Sequence, residues 1–204
     1  EPLPGGAIFA VATPIQGARW PDGVVPFEFA DEFEDSDYDG DEAISEDGPS
    51  SPREAALAAI DHYHERTPIG FVERTDEQDY IRFVNQIACC GLSSWVHGIG
   101  RRDGPQDIVI QVRDSETDYS TIRHPDLVKR SVIHEVGHSL GLFHETARYD
   151  RDEFVEIDHE CVDFWYSVSG SFDTAGALIG RYDIRSIMQY STKVAKKGPF
   201  WDEQ

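Results

Sequence analysis

The run His134-Glu135-Val136-Gly137-His138-Ser139-Leu140-Gly141-Leu142-Phe143-His144-Glu145 constrains this chain more tightly than any other feature. His134 and His138 are four apart, so a helix projects both imidazoles from one face, where they can share a metal ion. Glu135 follows the first histidine and can lean over the same site, close enough to hold a metal-bound water. Gly141 breaks such a helix, because glycine takes the left-handed conformation at no steric cost and turns the chain sharply. The turn brings His144 round as a third ligand. Three neutral nitrogens plus an open position for water is the pattern of a catalytic Zn2+, since a structural zinc closes all four positions.

A bare H-E-x-x-H can be two surface histidines; the longer H-E-x-x-H-x-x-G-x-x-H is the metzincin pattern of zinc proteases. Met188, the only methionine in the chain, falls downstream of it in Ser186-Ile187-Met188-Gln189-Tyr190. Metzincins place a methionine turn beneath their three histidines as an apolar floor. Within that clan the sequence resembles the astacin family. Glu145 directly after the third histidine is the astacin mark. Arg148-Tyr149-Asp150-Arg151-Asp152-Glu153-Phe154-Val155 looks like the astacin R-x-D-R-D-x-Y/F-V. Tyr182-Asp183 with Ser186-Ile187-Met188-Gln189-Tyr190 looks like its Y-D-Y-x-S-I-M-H-Y, with Gln189 for the usual His. Arg19-Trp20-Pro21-Asp22-Gly23-Val24-Val25-Pro26-Phe27 resembles the start of a mature astacin domain.

The resemblance implies an α+β, zincin-like fold of two subdomains: a twisted, mixed and mostly parallel sheet, a backing helix, an active-site helix and an irregular C-terminal half. It implies a zinc endopeptidase acting on protein or peptide substrates outside the cell. His134, His138 and His144 would hold Zn2+. Glu135 would be the general base and acid, and Tyr190 a fifth ligand at rest that swings to the oxyanion. Residues 1–19 read as an N-terminal arm, either a pro-segment or a processing remnant, and residues 20–204 as the catalytic domain. The chain stops soon after Tyr190, where the family usually continues into a closing helix.

Length fits one domain with a proper core. Eighteen Lys and Arg against 39 Asp and Glu leave a net charge of −21, which disfavours nucleic acid and anionic membrane as partners. No apolar run approaches a membrane span, and the expected state is a monomer. The chain begins at Glu1 instead of Met and reads as already processed. Cys89, Cys90 and Cys161 permit at most one internal disulfide, whose pairing stays open.

Along the chain, Val24–Phe29 reads as a first strand, with Pro26 pointing to an edge or an early position. The acidic stretch that follows contains Asp35, Asp37, Asp39, Gly40 and Glu46 in the spacing of a calcium loop. Its two readings are a Ca2+ site and a solvated acidic insertion. Ser51-Pro52-Arg53-Glu54 is a helix start; Ala55, Leu57, Ala58, Ile60 and Tyr63 supply the apolar side, and Thr67-Pro68 stops the helix. Strands are expected near 69–74 and 79–85, the second alternating clearly. His62, His64 and His97 read as bland histidines. The strand Asp107–Val112 is expected to form the edge of the cleft, where an extended peptide can add as a further strand. The active-site helix opens at Pro125 or Asp126, with Leu127, Val128, Val132, Ile133, Val136 and Leu140 facing the core. A short helix is expected near 158–168, and Lys193, Lys196 and Lys197 form a small basic cluster.

Two rival functions stand beside the protease. One is a latent zinc protein whose residues 1–19 plug the cleft; the other is a calcium-stabilised secreted interaction domain.

Overall fold

The computed structural model describes residues 10–31, 33, 49, 51–88, 94–96, 98–114, 125–157 and 176–190. In chain order the elements are β1 (Ala10–Ala12), β2 (Val24–Phe29), α1 (Pro52–Arg66), β3 (Gly70–Glu73), β4 (Tyr80–Ala88), β5 (Ser94–Val96), β6 (Pro105–Asp114), α2 (Pro125–Ser139) and β7 (Ala177–Ile179). They fall into two compact units, one of residues 15–141 and one of residues 1–14 with 142–204.

The first unit is a five-stranded sheet, ordered β3-β2-β4-β6-β5, with two helices. Three of its pairings are parallel and only β5 runs antiparallel, against β6. Its strands alternate as the sequence predicts. Phe27 aligns with Ile81 and Phe83 with Ile108, so Val25, Phe27, Ile81, Phe83, Ile108 and Ile110 share one face, and all are buried. Each such side chain stabilises by roughly 1.5–3 kcal/mol on full burial. The rings of Phe27, Phe29, Phe33 and Phe83 meet at centroid distances of 5.0–6.2 Å, within the range of favourable aromatic pairs. Partly exposed charges pair as well: Arg82 with Asp107 across β4 and β6 at 2.8 Å, and Arg74, directly after β3, with Glu28 of β2 at 2.9 Å.

Two expectations are corrected, and of the two readings of Pro26 the early position holds. The strand Asp107–Val112 is no edge, because β6 is paired on both sides; the edge is β5, too short for its three residues to show a period. β2 is likewise interior. Pro26 is tolerated because it aligns with Val72 of β3, whereas pairing with β4 begins only at Phe27; at the proline the strand has one neighbour. In α1, Leu57 is 40% exposed and the buried stripe runs through Ala55, Ala56, Ala59, Ile60 and Tyr63 instead. α1 packs on α2, and half of its buried residues are small alanines. Ser51 does cap α1, its Oγ accepting the backbone N–H of Glu54 at 3.3 Å.

The second unit has little regular structure among its described residues. β1 pairs antiparallel with β7, Ala10 opposite Ile179 and Ala12 opposite Ala177, and Ala12 also bridges to Leu142. Part of the N-terminal arm is thus a strand of this unit. Two single turns, Glu145–Ala147 and Arg151–Glu153, complete it.

Candidate active site

The last two turns of α2 carry His134, Glu135 and His138, with the two imidazole centroids 4.6 Å apart. A helix end leaves carbonyls without helical donors, and here side chains and loops satisfy them. The His138 carbonyl accepts the N–H of Gly141 at 2.9 Å and of Gly100 at 2.7 Å. The Ser139 carbonyl accepts the indole N–H of Trp20 at 2.9 Å. One turn earlier, the hydroxyl of Tyr63 donates to the Ile133 carbonyl at 2.9 Å, directly before His134. Gly100 is irreplaceable by contact as well as by conformation: φ is +77°, and a Cβ would stand 2.5 Å from the Ala18 carbonyl oxygen. Three separate segments, and the turn at Gly141 that continues the helix, therefore fix the backbone that presents the histidine pair.

Glu135 is only 8% exposed. Burial pushes its carboxyl up to about 8, and the backbone N–H of Val96, on edge strand β5, pulls the other way by bonding the carboxylate. A carboxyl held between these two influences is suited to take and return a proton near neutrality. Gly141 follows with φ of +103°, the left-handed turn that the sequence requires there.

In the second unit His144 lies with its ring centroid 4.1 Å from that of Tyr190. Met188 is 1% exposed, and its carbonyl accepts the N–H of Glu145 at 2.9 Å. Glu145 is itself fully buried; its Oε1 accepts the N–H of Asp183 at 2.9 Å and stands 3.6 Å from the Arg148 guanidinium. Burial raises the Glu145 carboxyl, opposed by the Asp183 N–H and by Arg148. Arg148, fully buried, donates both Nε and Nη2 to Asp150 at 2.8 Å and reaches the carbonyls of Ile179 at 3.3 Å and Gly180 at 3.1 Å. The R-x-D-R-D motif is thus a structural knot, with Arg151 tied to the Thr146 carbonyl at 2.9 Å.

His134, His138 and His144 make up a group that could hold a metal ion among the described residues. Three neutral imidazoles are a donor set that suits Zn2+. The calcium-loop residues Asp35, Asp37, Asp39 and Glu46 lie outside the described residues, as do the three cysteines, His97, the stretch 158–168 and the lysine cluster. His62 is half-buried and His64 exposed, as read. Sequence reasoning missed Trp20, Tyr63, Val96 and Gly100. Only Trp20 and Gly100 carried a signal, the one by its place in a motif and the other as a glycine.

The profile of Astacin (peptidase family M12A) matches residues 13–202. The chain belongs to the astacin family. It is 32% identical over 190 residues to human tolloid-like protein 1 and 33% identical over 187 residues to bone morphogenetic protein 1 of Xenopus laevis, each match covering 90% of this chain. It is 30% identical over 206 residues to zinc metalloproteinase nas-39 of Caenorhabditis elegans, covering 97% of this chain. The chain spans 15%, 22% and 18% of the length of these three relatives. Among solved structures, high choriolytic enzyme 1, a hatching enzyme zinc-protease of the medaka Oryzias latipes, superposes with a TM-score of 0.61. It is 23% identical, the match covering 88% of this chain and 75% of that one. Myroilysin superposes with a TM-score of 0.52 at 18% identity, covering 94% of this chain and 88% of the other. These likenesses bear on the fold: α+β and metzincin-like. No helix among the described residues of this astacin-family chain is long and apolar enough to cross a membrane.

Proposed function

We propose that this chain is a zinc-dependent endopeptidase domain, active on protein or peptide substrates outside the cell. The observation that carries the reading is the buried Glu135 between His134 and His138 on a helix turn braced by Trp20, Tyr63 and Gly100. His134, His138 and, beyond the Gly141 turn, His144 would hold the metal. Bound there, zinc supplies Lewis acidity, lowering the pKa of water and polarising a carbonyl.

The remaining work belongs to the chain's own residues. Glu135 accepts the proton of the attacking water at its carboxylate and delivers it to the leaving amide nitrogen. The Tyr190 hydroxyl donates a hydrogen bond to the oxyanion of the tetrahedral intermediate. At rest the same phenol, whose ring lies 4.1 Å from that of His144, would help the three histidines hold the metal. Among the described residues β5 is the outer strand of the sheet, and an extended peptide would add beside it, against the strand whose Val96 N–H bonds Glu135.

The test pairs metal content with turnover. His144→Ala should lose most of its zinc by elemental analysis. Glu135→Ala should keep zinc and lose about 10²–10⁴-fold in peptide cleavage. Tyr190→Phe should keep zinc and KM and lose about 10²–10³-fold in kcat. Full zinc occupancy in His144→Ala sinks the metal assignment; undiminished cleavage by Glu135→Ala sinks the mechanism.

A further inference from the structure

Gln189 lies between two tyrosines in the second unit. Its Oε1 accepts the hydroxyl proton of Tyr182 at 2.7 Å, and its Nε2 donates to the backbone carbonyl of Tyr190 at 3.3 Å. The amide can face only one way, because a carbonyl oxygen can only accept and so must meet the NH2 group. Tyr182 is itself held. Its ring stacks on Phe154 at 4.8 Å with 10° between the planes, and the Arg148 guanidinium sits 5.8 Å from its centroid. Burial raises the Tyr182 hydroxyl above its ordinary value, so it remains a donor. The backbone on the near side is closed by the Gln189 N–H to the Ser186 carbonyl at 3.0 Å and the Met188 N–H to the Ser186 Oγ at 3.2 Å. The charged and titratable groups around this chain of contacts are Glu145, Arg148 and Arg151 toward Tyr182, and His144 toward Tyr190.

We propose that Gln189 is a positioning residue for Tyr190. Its amide ties the Tyr190 backbone to the Tyr182–Phe154 stack, so that the phenol beside His144 begins each turnover from one orientation. The inference rests on the reading of Tyr190 as the oxyanion donor. A group that is 1 Å out of place can cost about 10²-fold in rate, and a tyrosine that must move between two positions needs a backbone that does not. The neutral amide supplies that anchor with one acceptor and one donor and adds no charge beside the histidine.

The experiment uses zinc-loaded protein labelled with ¹³C at tyrosine, the Tyr190 resonance being identified by its loss in Tyr190→Phe. Gln189→Ala should lower kcat about fivefold to tenfold with KM unchanged, the cost of one hydrogen bond, and should shift the Tyr190 resonance in both the zinc-loaded and the metal-free protein. Tyr182→Phe keeps the stack, removes only the hydroxyl, and should act in the same direction while adding nothing to Gln189→Ala. Gln189→His, assayed at about pH 8 where imidazole is neutral and offers one donor and one acceptor, should recover part of the loss. If Tyr190→Phe is slow but Gln189→Ala runs at the wild-type kcat with an unmoved resonance, the positioning role is overturned while the oxyanion reading stands. If Tyr190→Phe runs at the wild-type rate, both fall together. Should Gln189→Ala fail to fold, unchanged kcat and resonance in Tyr182→Phe overturn the proposal just as well.

Discussion

The two units of this chain reach order by opposite routes. Residues 15–141 bury alternating apolar side chains between a sheet and helices, and buried hydrogen bonds from Trp20 and Tyr63 hold the C-terminal half of α2. The described part of residues 142–204 has one three-residue strand and two single turns, and its interior is polar: Arg148 and Glu145 are fully buried, and Met188 is the large apolar side chain beside them. Hydrophobic burial is non-directional, so many apolar sequences satisfy it. A buried guanidinium tolerates almost no alternative arrangement, because every unpaired donor costs desolvation. The first unit is a packing problem and the second a wiring problem.

That contrast is broken or sharpened most by two truncations read side by side. Arg148→Ala strands buried Glu145 and frees the carbonyls of Ile179 and Gly180; removing one partner of a buried charge network costs about 3–5 kcal/mol. Ile108→Ala, on the sheet's covered face, leaves a cavity at a cost of about 2–5 kcal/mol. The totals overlap, but the locations should not. Hydrogen exchange by mass spectrometry should show Arg148→Ala deprotecting 142–157 and 176–190, and Ile108→Ala deprotecting β4 and β6. Equal deprotection of both units by Arg148→Ala would show that the knot stabilises the whole chain and that the division is too sharp.

The same contrast explains what could be read from the sequence. β4, α1 and α2 were legible because periodicity encodes them: Ile81 and Phe83 alternate, and Ser51 caps where Ser51-Pro52 says it should. The histidine spacing and the Gly141 turn were legible because metal geometry demands both. Illegible were the short elements, β1, β5 and β7, whose three residues each show no period. Mistaking β6 for the cleft edge follows directly, since its true neighbour was one of these. Leu57 was misread because hydrophobicity outweighed the alanine stripe that α1 in fact buries. In the second unit the R-x-D-R-D string could be recognised, but no pattern announces that Arg148 closes on carbonyls about thirty residues away.

Trp20→Phe makes a smaller cut at the bracing of α2. It keeps an aromatic in a buried place but strands the Ser139 carbonyl. A loss of about 1–2 kcal/mol is expected from the missing bond and the lost ring volume. Denaturant unfolding should move the midpoint without changing the slope. Exchange should rise first at the helix end that carries His138. If protection there is untouched, the indole is only a core ring and Gly100 and Gly141 suffice to end the helix.

The smallest effect concerns acid and isolates one bond of the knot. The Arg148 side-chain hydrogen bonds hold the Asp150 carboxyl below the ordinary carboxylate range. A carboxyl whose folded value is depressed stabilises the fold above its unfolded pKa of about 3.9, and that stability is lost as pH falls through the folded value. Glu145 in the same unit has the opposite sign, because burial raises it and protonation relieves a buried charge. Acidifying the wild type therefore superposes a loss from Asp150 on a gain from Glu145, and the raw pH curve separates neither. Asp150→Asn removes the first contribution and leaves the second. Exchange protection of 142–157 should thus fall less in Asp150→Asn than in the wild type between about pH 5 and pH 3, from a lower starting level at neutral pH. The Asp150 side chain is 23% exposed, so water screens the pair and the difference will be modest. Parallel curves for the two proteins would mean that Arg148 is held by its carbonyl bonds and by Glu145, with Asp150 contributing only a surface charge.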